Sequence, residues 1–179
     1  MDIVWRILTP HRGYLINLTK KFDMRFILID KVLSLDSGKH IETTKSVSLA
    51  EEYLGDHFPT FPVLPGVLLL QGMIESASWL VREAQDFTHS MVLLKQTRNV
   101  KYKSFLTPGM QIRYVVDATS LEDNISSFKA YGQSGDTRVV EARFSLRHFN
   151  LADKKEALAT ADAEVVDAMK KRWHLLKPN

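Results

Sequence analysis

The spacing of hydrophobic positions along the chain switches from a period of two to a helical period and back. Residues 22–35 (FDMRFILIDKVLSL) are rich in β-branched and aromatic side chains and predict a strand. Asp36-Ser37-Gly38-Lys39 is turn chemistry, and residues 40–49 predict a returning strand with Ile41, Thr43 and Val47 on alternate positions. Leu49 to Gly55 is a short polar segment, sufficient for one or two helical turns. Between Asp56 and Gly66 stand Pro59, Pro62 and Pro65, which exclude a helix and disfavour a paired strand; a stiff extended loop follows.

From Gly66 to about Ala84 no proline intervenes, and the pattern becomes helical. Val67, Leu68, Leu69, Leu70, Met73, Ile74, Ala77, Leu80 and Val81 cover most of the circumference, which predicts a buried helix. Gln71, Glu75, Ser78 and Arg82 fall at i, i+4, i+7 and i+11 and form a polar stripe on it. Strands follow: short runs at Met91–Leu94 and Val100–Phe105, a turn at Thr107-Pro108-Gly109, then strands over 111–121 and 124–132, and a turn at Ser134-Gly135-Asp136. Residues 138–148 alternate most cleanly, with Val140, Ala142, Phe144 and Leu146 facing one way and Val139, Glu141, Arg143, Ser145 and Arg147 the other. One apolar helix can be buried that thoroughly only if a curved sheet wraps it, so the expectation is an α+β domain over residues 1–150. Residues 151–179 read as a helical extension: Val165, Met169, Trp173 and Leu176 repeat at helical spacing, Thr160 is the expected N-cap, and Lys170, Lys171 and Arg172 sit near the end where the helix dipole favours cations.

Composition narrows the function classes. The chain has 179 residues, 45% hydrophobic and 25% charged, with no cysteine, which excludes disulfides, thiolate metal sites and cysteine nucleophiles and suits a reducing cytoplasm. A net charge of +3 and an isoelectric point near 9.1 are mildly basic, short of the dense cationic field of a nucleic-acid binder. The opening residues MDIVWRILTPHRGYL lack the pattern of a signal peptide, and the longest apolar stretch, Val63 to Met73, is too short and too interrupted to span a bilayer. A cytoplasmic protein without a membrane span is the expectation.

The segment HFPTFPVLPGVLLLQGM carries the chemistry. It resembles the signature of the β-hydroxyacyl-ACP dehydratases of fatty-acid synthesis, roughly H-F-P-x-x-P-x-x-P-G-V-L-x-x-E-A-M-x-Q, through His57, Phe58, Pro59, Pro62, Pro65, Gly66, Val67, Leu68 and Met73. FILIDKVLSLDSGKHI is similar to the family's first hairpin and NVKYKSFLTPGMQI to a later strand and turn, so the likeness runs over about residues 22 to 148. The resemblance implies a hotdog fold and removal of water from a 3-hydroxyacyl thioester carried on the phosphopantetheine of an acyl carrier protein. It implies no further cofactor and no metal. It also implies sites at a dimer interface, with histidine from one protomer and carboxylate from the other, in a homodimer or a trimer of dimers.

The residues support a site on their own terms. His57 on a proline-stiffened loop is positioned at little entropic cost and can act as a base near neutral pH. Gly66 opens the helix, so its N–H and the dipole are available to a carbonyl oxygen, with Pro65, Phe58 and Val67 as neighbouring substrate contacts. The departure from the family pattern lies at Gln71, where the family carries its catalytic carboxylate. One turn later, where the family usually shows glutamine, stands Glu75. A carboxyl there would face the same channel, displaced by about 5–6 Å, and burial would raise its pKa as a proton donor requires. The alternative is that Glu75 pairs with Arg82 or a strand and that Gln71 marks a lost activity. Gly72, where the family commonly has alanine, could make room near the site. Lys95, Arg98, Lys101 and Lys103 form a candidate docking surface for an acidic carrier, or simply a lysine-protected strand edge. His11, His40, His89, His148 and His174 are read as structural. Two other functions use the same parts: a hotdog thioesterase with Glu75 directing water, and a half-site subunit whose paralogue supplies the missing carboxylate.

Overall fold

The computed structural model describes residues 26–177. Its elements are β1 (Lys31–Asp36), β2 (His40–Ser46), α1 (Tyr53–Asp56), α2 (Gly66–Ala84), β3 (Met91–Tyr102), β4 (Gln111–Leu121), β5 (Ile125–Ser134), β6 (Thr137–Phe149) and α3 (Ala159–Leu176), with two 3₁₀ turns at Leu151–Asp153 and Glu156–Leu158 between β6 and α3. The six strands form one antiparallel sheet in the order β1-β2-β4-β5-β6-β3. The long α2 lies against its inner face, touching β2 to β6, so this is the α+β hotdog arrangement expected of one apolar helix and one sheet. Ile41, Met73, Ala77, Leu80, Ile112, Tyr114, Val140 and Leu146 are fully enclosed between the two layers.

Several boundaries moved, each for a physical reason. The first strand starts at Lys31; of the expected 22–35, residues 22–25 lie outside the described residues and 26–30 are not strand. Asp30 N–H still bonds the Thr44 carbonyl at 2.8 Å, but the Leu28 N–H leaves the ladder and donates to a Glu75 carboxylate oxygen at 3.3 Å. The second strand stops at Ser46, because Val47 pairs instead with the Thr107–Met110 turn, through Val47 N–H to Met110 O and Gly109 N–H to Val47 O. The polar segment before the loop condenses to the single turn α1. The two short runs expected at 91–94 and 100–105 are one twelve-residue strand, β3, with register shifts at Leu94/Gln96 and Arg98/Lys101. Its middle is too polar to be read as a strand, yet ladder bonds to β6 are made by backbone and ignore side-chain polarity. In β6 Val140, Ala142, Phe144 and Leu146 are buried as the alternation predicts, but Val139 is buried too.

The tail forms the expected amphipathic helix. Trp173 and Leu176 are buried, with Val166 and Met169 packed against the core. The Trp173 indole stacks on Trp79 of α2, centroids 5.8 Å apart. Thr160 is not the N-cap, since α3 begins a residue earlier with Leu158 in that position. Asp162 anchors this end instead: its carboxylate accepts from Leu151 N–H at 2.9 Å, Ala152 N–H at 2.8 Å and the Ser90 hydroxyl.

Candidate active site

The loop from α1 to α2 is built around His57. Its backbone N–H donates to Tyr53 O at 3.2 Å and its carbonyl accepts from Val63 N–H at 3.0 Å, so the loop is closed on itself over the prolines. The peptide between His57 and Phe58 is cis, and the Phe58 ring stacks on the imidazole with centroids 4.3 Å apart. The imidazole Nδ1 lies 3.0 Å from the Val63 carbonyl oxygen. A carbonyl only accepts, so this contact places the ring proton on Nδ1 and leaves the Nε2 lone pair free, the tautomer a general base needs.

Nine residues after His57, α2 begins at Gly66 with Pro65 in the N-cap position. Leu68 and Leu69 N–H groups turn back onto Pro65 O at 2.9 and 3.2 Å, and among the described residues Gly66 and Val67 N–H have no backbone acceptor. Two donors thus point out of the positive end of a nineteen-residue helix. A side chain at Gly66 would meet the Tyr102 ring at 3.1 Å, so glycine allows β3 to cover the helix start. Val67, 70% exposed, and the half-exposed Phe58 and Phe61 leave an apolar rim here.

The polar stripe comes together as expected: Gln71, Glu75, Ser78 and Arg82 all line one cavity of about 660 Å³. Its remaining wall is apolar, from Phe26 and Leu28, from Leu68, Ile74 and Trp79 of α2, from Val92, Leu93 and Leu94 of β3, and from Met169 of α3. Gln71 is exposed at the mouth and Glu75 is 9% exposed within. The Glu75 carboxyl has one oxygen on Leu28 N–H and the other 3.6 Å from Arg172 Nη2 of α3, with no hydrogen bond. Burial pushes its pKa up, while the Arg172 guanidinium, the Leu28 N–H and the Trp79 indole pull it partly back. The expected alternative partner, Arg82, is engaged elsewhere: it donates to the carbonyls of His89 and Ser90, and burial lowers its pKa to about 10.

Gly72 makes room, but on the core side. An ideal Cβ there would lie 2.5 Å from the Tyr114 hydroxyl and 2.4 Å from its Cζ, so the notch in α2 is occupied by the phenol of β4. His57 is not on the cavity wall: Gly66 and Glu75 are nine residues apart, about 13.5 Å along the helix axis. One chain therefore holds His57 and the open N–H donors toward one end of α2 and the polar stripe further along, without joining them.

The basic cluster divides. Lys101 and Lys103 are ion-paired with Glu141 of β6, at 3.6 and 2.7 Å. Lys95 and Arg98 line a second cleft, of about 530 Å³, together with Lys129 and Arg143. Arg98, Arg143 and Lys129 stand directly opposite one another on β3, β6 and β5, three exposed cations in one cross-strand row. The Asp117 that follows on β4 is bonded to His40 at 2.7 Å. Sequence reading missed Lys129, Arg143, Tyr102, Tyr114 and Arg172 because each acts across a contact distant in sequence, for which periodicity carries no signal. Among the described residues no helix is long and apolar enough to cross a membrane.

The comparisons with known proteins agree with this geometry. Residues 22–143 match the family model described as a FabA-like domain. The chain is 34% identical over 122 residues to a 3-hydroxyacyl-[acyl-carrier-protein] dehydratase FabZ of Gluconobacter oxydans, covering 67% of this chain and 72% of that one. It is 30% identical to a FabZ of Bacillus thuringiensis over 131 residues, 73% of this chain and 89% of that one. Among solved structures it is similar to the dehydratase heterocomplex ApeI:P of Xenorhabdus doucetiae, with a TM-score of 0.61 at 17% identity over 76% of this chain and 92% of the other. It is also similar to a mutant thioesterase, PA1618, of Pseudomonas aeruginosa, with a TM-score of 0.53 at 14% identity over 66% of this chain and 79% of the other. At such identities the structures speak for the fold, whereas the family match spans the hairpin, the His57 loop, α2 and most of the sheet: the chain belongs to the FabA-like family, that of the β-hydroxyacyl-ACP dehydratases.

Proposed function

We propose that this protein removes water from 3-hydroxyacyl thioesters to give trans-2-enoyl thioesters, with the acyl group carried by an acyl carrier protein. The observation that carries the reading is the Nδ1 contact of His57 with the Val63 carbonyl, which leaves Nε2 free on the loop that leads into the open N–H groups of α2. The thioester carbonyl accepts from Gly66 N–H, with Pro65, Phe58 and Val67 around it. As His57 Nε2 takes the C2 proton, charge builds on that oxygen and the N–H and helix dipole stabilise it. The C3–O bond then breaks and the hydroxyl leaves as water with a proton from an acid. Glu75 is that acid: it lines the acyl cavity, burial favours its protonated form, and its Oε1 has no hydrogen bond. Gln71, at the mouth, orients the hydroxyl.

His57 and the stripe meet in this reading across two protomers. β3 is an edge strand whose outer side has no partner among the described residues, and its Leu93 and Leu94, 47% and 43% exposed, form part of the cavity wall. A second copy paired along β3 covers those residues and brings its His57 loop to the cavity. The carrier docks on Lys95 and Arg98, joined by Lys129 and Arg143. Lys101 and Lys103, both paired with Glu141, are secondary to it.

The test is one assay of enoyl-thioester hydration and its reverse on three variants. His57→Ala loses about 10²–10⁴-fold with the fold intact. Glu75→Gln loses about 10²-fold, since the amide keeps the shape but not the transferable proton. Gln71→Glu has the smaller effect. One observation favours a second reading: Glu75 is already tied to Arg172 and Leu28 N–H. If Glu75→Gln is silent and Gln71→Glu raises the rate, Glu75 is structural and the chain is a half-site subunit lacking its own carboxylate.

A further inference from the structure

The family match ends at residue 143, and α3 lies wholly beyond it. Yet α3 reaches the cavity and the carboxyl that lines it. Met169 forms part of the wall, and Arg172 faces the Glu75 carboxyl at 3.6 Å. We infer that Arg172 is a positioning residue for the reaction, holding the Glu75 carboxyl toward the cavity so that the C-terminal helix is a working part of the site. This rests on the reading of Glu75 as the acid.

Three observations separate this role from that of a strut. First, α3 is already fastened by the Trp173–Trp79 stack, by buried Leu176 and by the three bonds to Asp162, so it does not need the ion pair to stay in place. A pair this enclosed is a weak stabiliser in any case, because the cost of desolvating both charges offsets much of their attraction. Second, the bonding of the pair is incomplete: Glu75 Oε1 and Arg172 Nε are both buried without a hydrogen-bond partner. Third, among the described residues the other cation that lowers the Glu75 pKa, Lys45, is paired with other carboxylates. Lys45 of β2 is held by Asp30 and Glu51, at 3.3 and 2.7 Å, and Arg82 is turned to the His89 and Ser90 carbonyls. Tyr114 of β4 and Tyr53 of α1 also face this region, as phenols whose pKa values burial raises. Leu28 N–H fixes one carboxyl oxygen, and Arg172 fixes the direction of the other.

The sign of the electrostatic consequence follows. Burial favours protonated Glu75, and Arg172 opposes it. Without Arg172 the carboxyl keeps its proton to higher pH. Dehydration uses the protonated acid, so its alkaline limb moves up; hydration uses the carboxylate, so its acidic limb also moves up.

The experiment is the pH–rate profile of the full chain in both directions for wild type, Arg172→Met, Arg172→Lys and Glu75→Gln, with kcat and KM separated. Arg172→Met is expected to lower kcat about tenfold or more with little change in KM and to move both limbs upward, while Arg172→Lys restores much of each. Arg172→Gln replaces the methionine variant if near-ultraviolet circular dichroism shows the latter unfolded. Unchanged kcat and limbs in a folded variant lacking the Arg172 charge overturn the inference, even if its melting temperature falls. A silent Glu75→Gln overturns the acid assignment itself, and is told apart because Glu75 then fails whatever stands at 172.

Discussion

Gly72 illustrates how a single residue inverts a general rule. Replacing glycine by alanine inside a helix ordinarily stabilises by roughly 0.5–1 kcal/mol, and the family commonly has alanine here. In this chain the missing Cβ is the space taken by the Tyr114 phenol, closed in at 2.4–2.6 Å. Gly72→Ala is therefore expected to destabilise by about 1–3 kcal/mol through overpacking, measured as a lower midpoint in urea; a midpoint at or above wild type would show that Tyr114 yields easily. His57 is the opposite case, a residue whose role needs only local chain. Its tautomer is set by Val63, six residues away, and the prolines that stiffen that interval are plain in the sequence. Glu75 lies between the two. Its place on the polar stripe follows from helical spacing, but its partners come from residues 28 and 172, at opposite ends of the chain.

At the scale of elements, the sheet shows why charge counted along one strand misleads. Lys95, Arg98, Lys101 and Lys103 form one cluster in sequence, but pairing with β6 gives two of them to Glu141 and the others to a row with Arg143 and Lys129. Like charges directly opposite in a sheet are destabilising, so the row is expected to be relieved by an anionic partner. Arg143→Glu should raise KM for a carrier-linked substrate about tenfold at low salt, with a smaller effect at high salt. A short pantetheine thioester should be turned over as by wild type. Equal effects on both substrates would mean that the row is not a docking surface. β3 itself was legible only at its apolar ends, because nothing in its polar centre distinguishes a paired strand from a loop.

For the whole molecule, the open edge of β3 and the separation of His57 from the Glu75 cavity make the same demand. In the proposed reading a chain of 20.5 kDa, with His57 before the start of α2 and Glu75 at its middle, is completed by a second copy. Light scattering at micromolar concentration is expected to return at least twice that mass; a monomer that nevertheless turns over substrate would refute the shared site. Mixing inactive His57→Ala with inactive Glu75→Gln protein should restore part of the activity, since some mixed dimers hold one intact site.

The sequence by itself determined the elements and the local chemistry: a prolines-then-glycine entry to one buried helix, the order of helix and strands, the His57 loop, the polar stripe and the amphipathic tail. These rest on spacing, turn residues and short-range sterics, which act within a few residues of the chain. Only the tertiary structure decided the strand ends where backbone left the ladder for Glu75 or for the Thr107–Met110 turn, the phenol in the Gly72 notch, the split of the basic cluster and the reach of α3 to Glu75. Those are contacts between residues dozens to nearly a hundred positions apart, fixed by how helix and sheet pack rather than by any pattern along either.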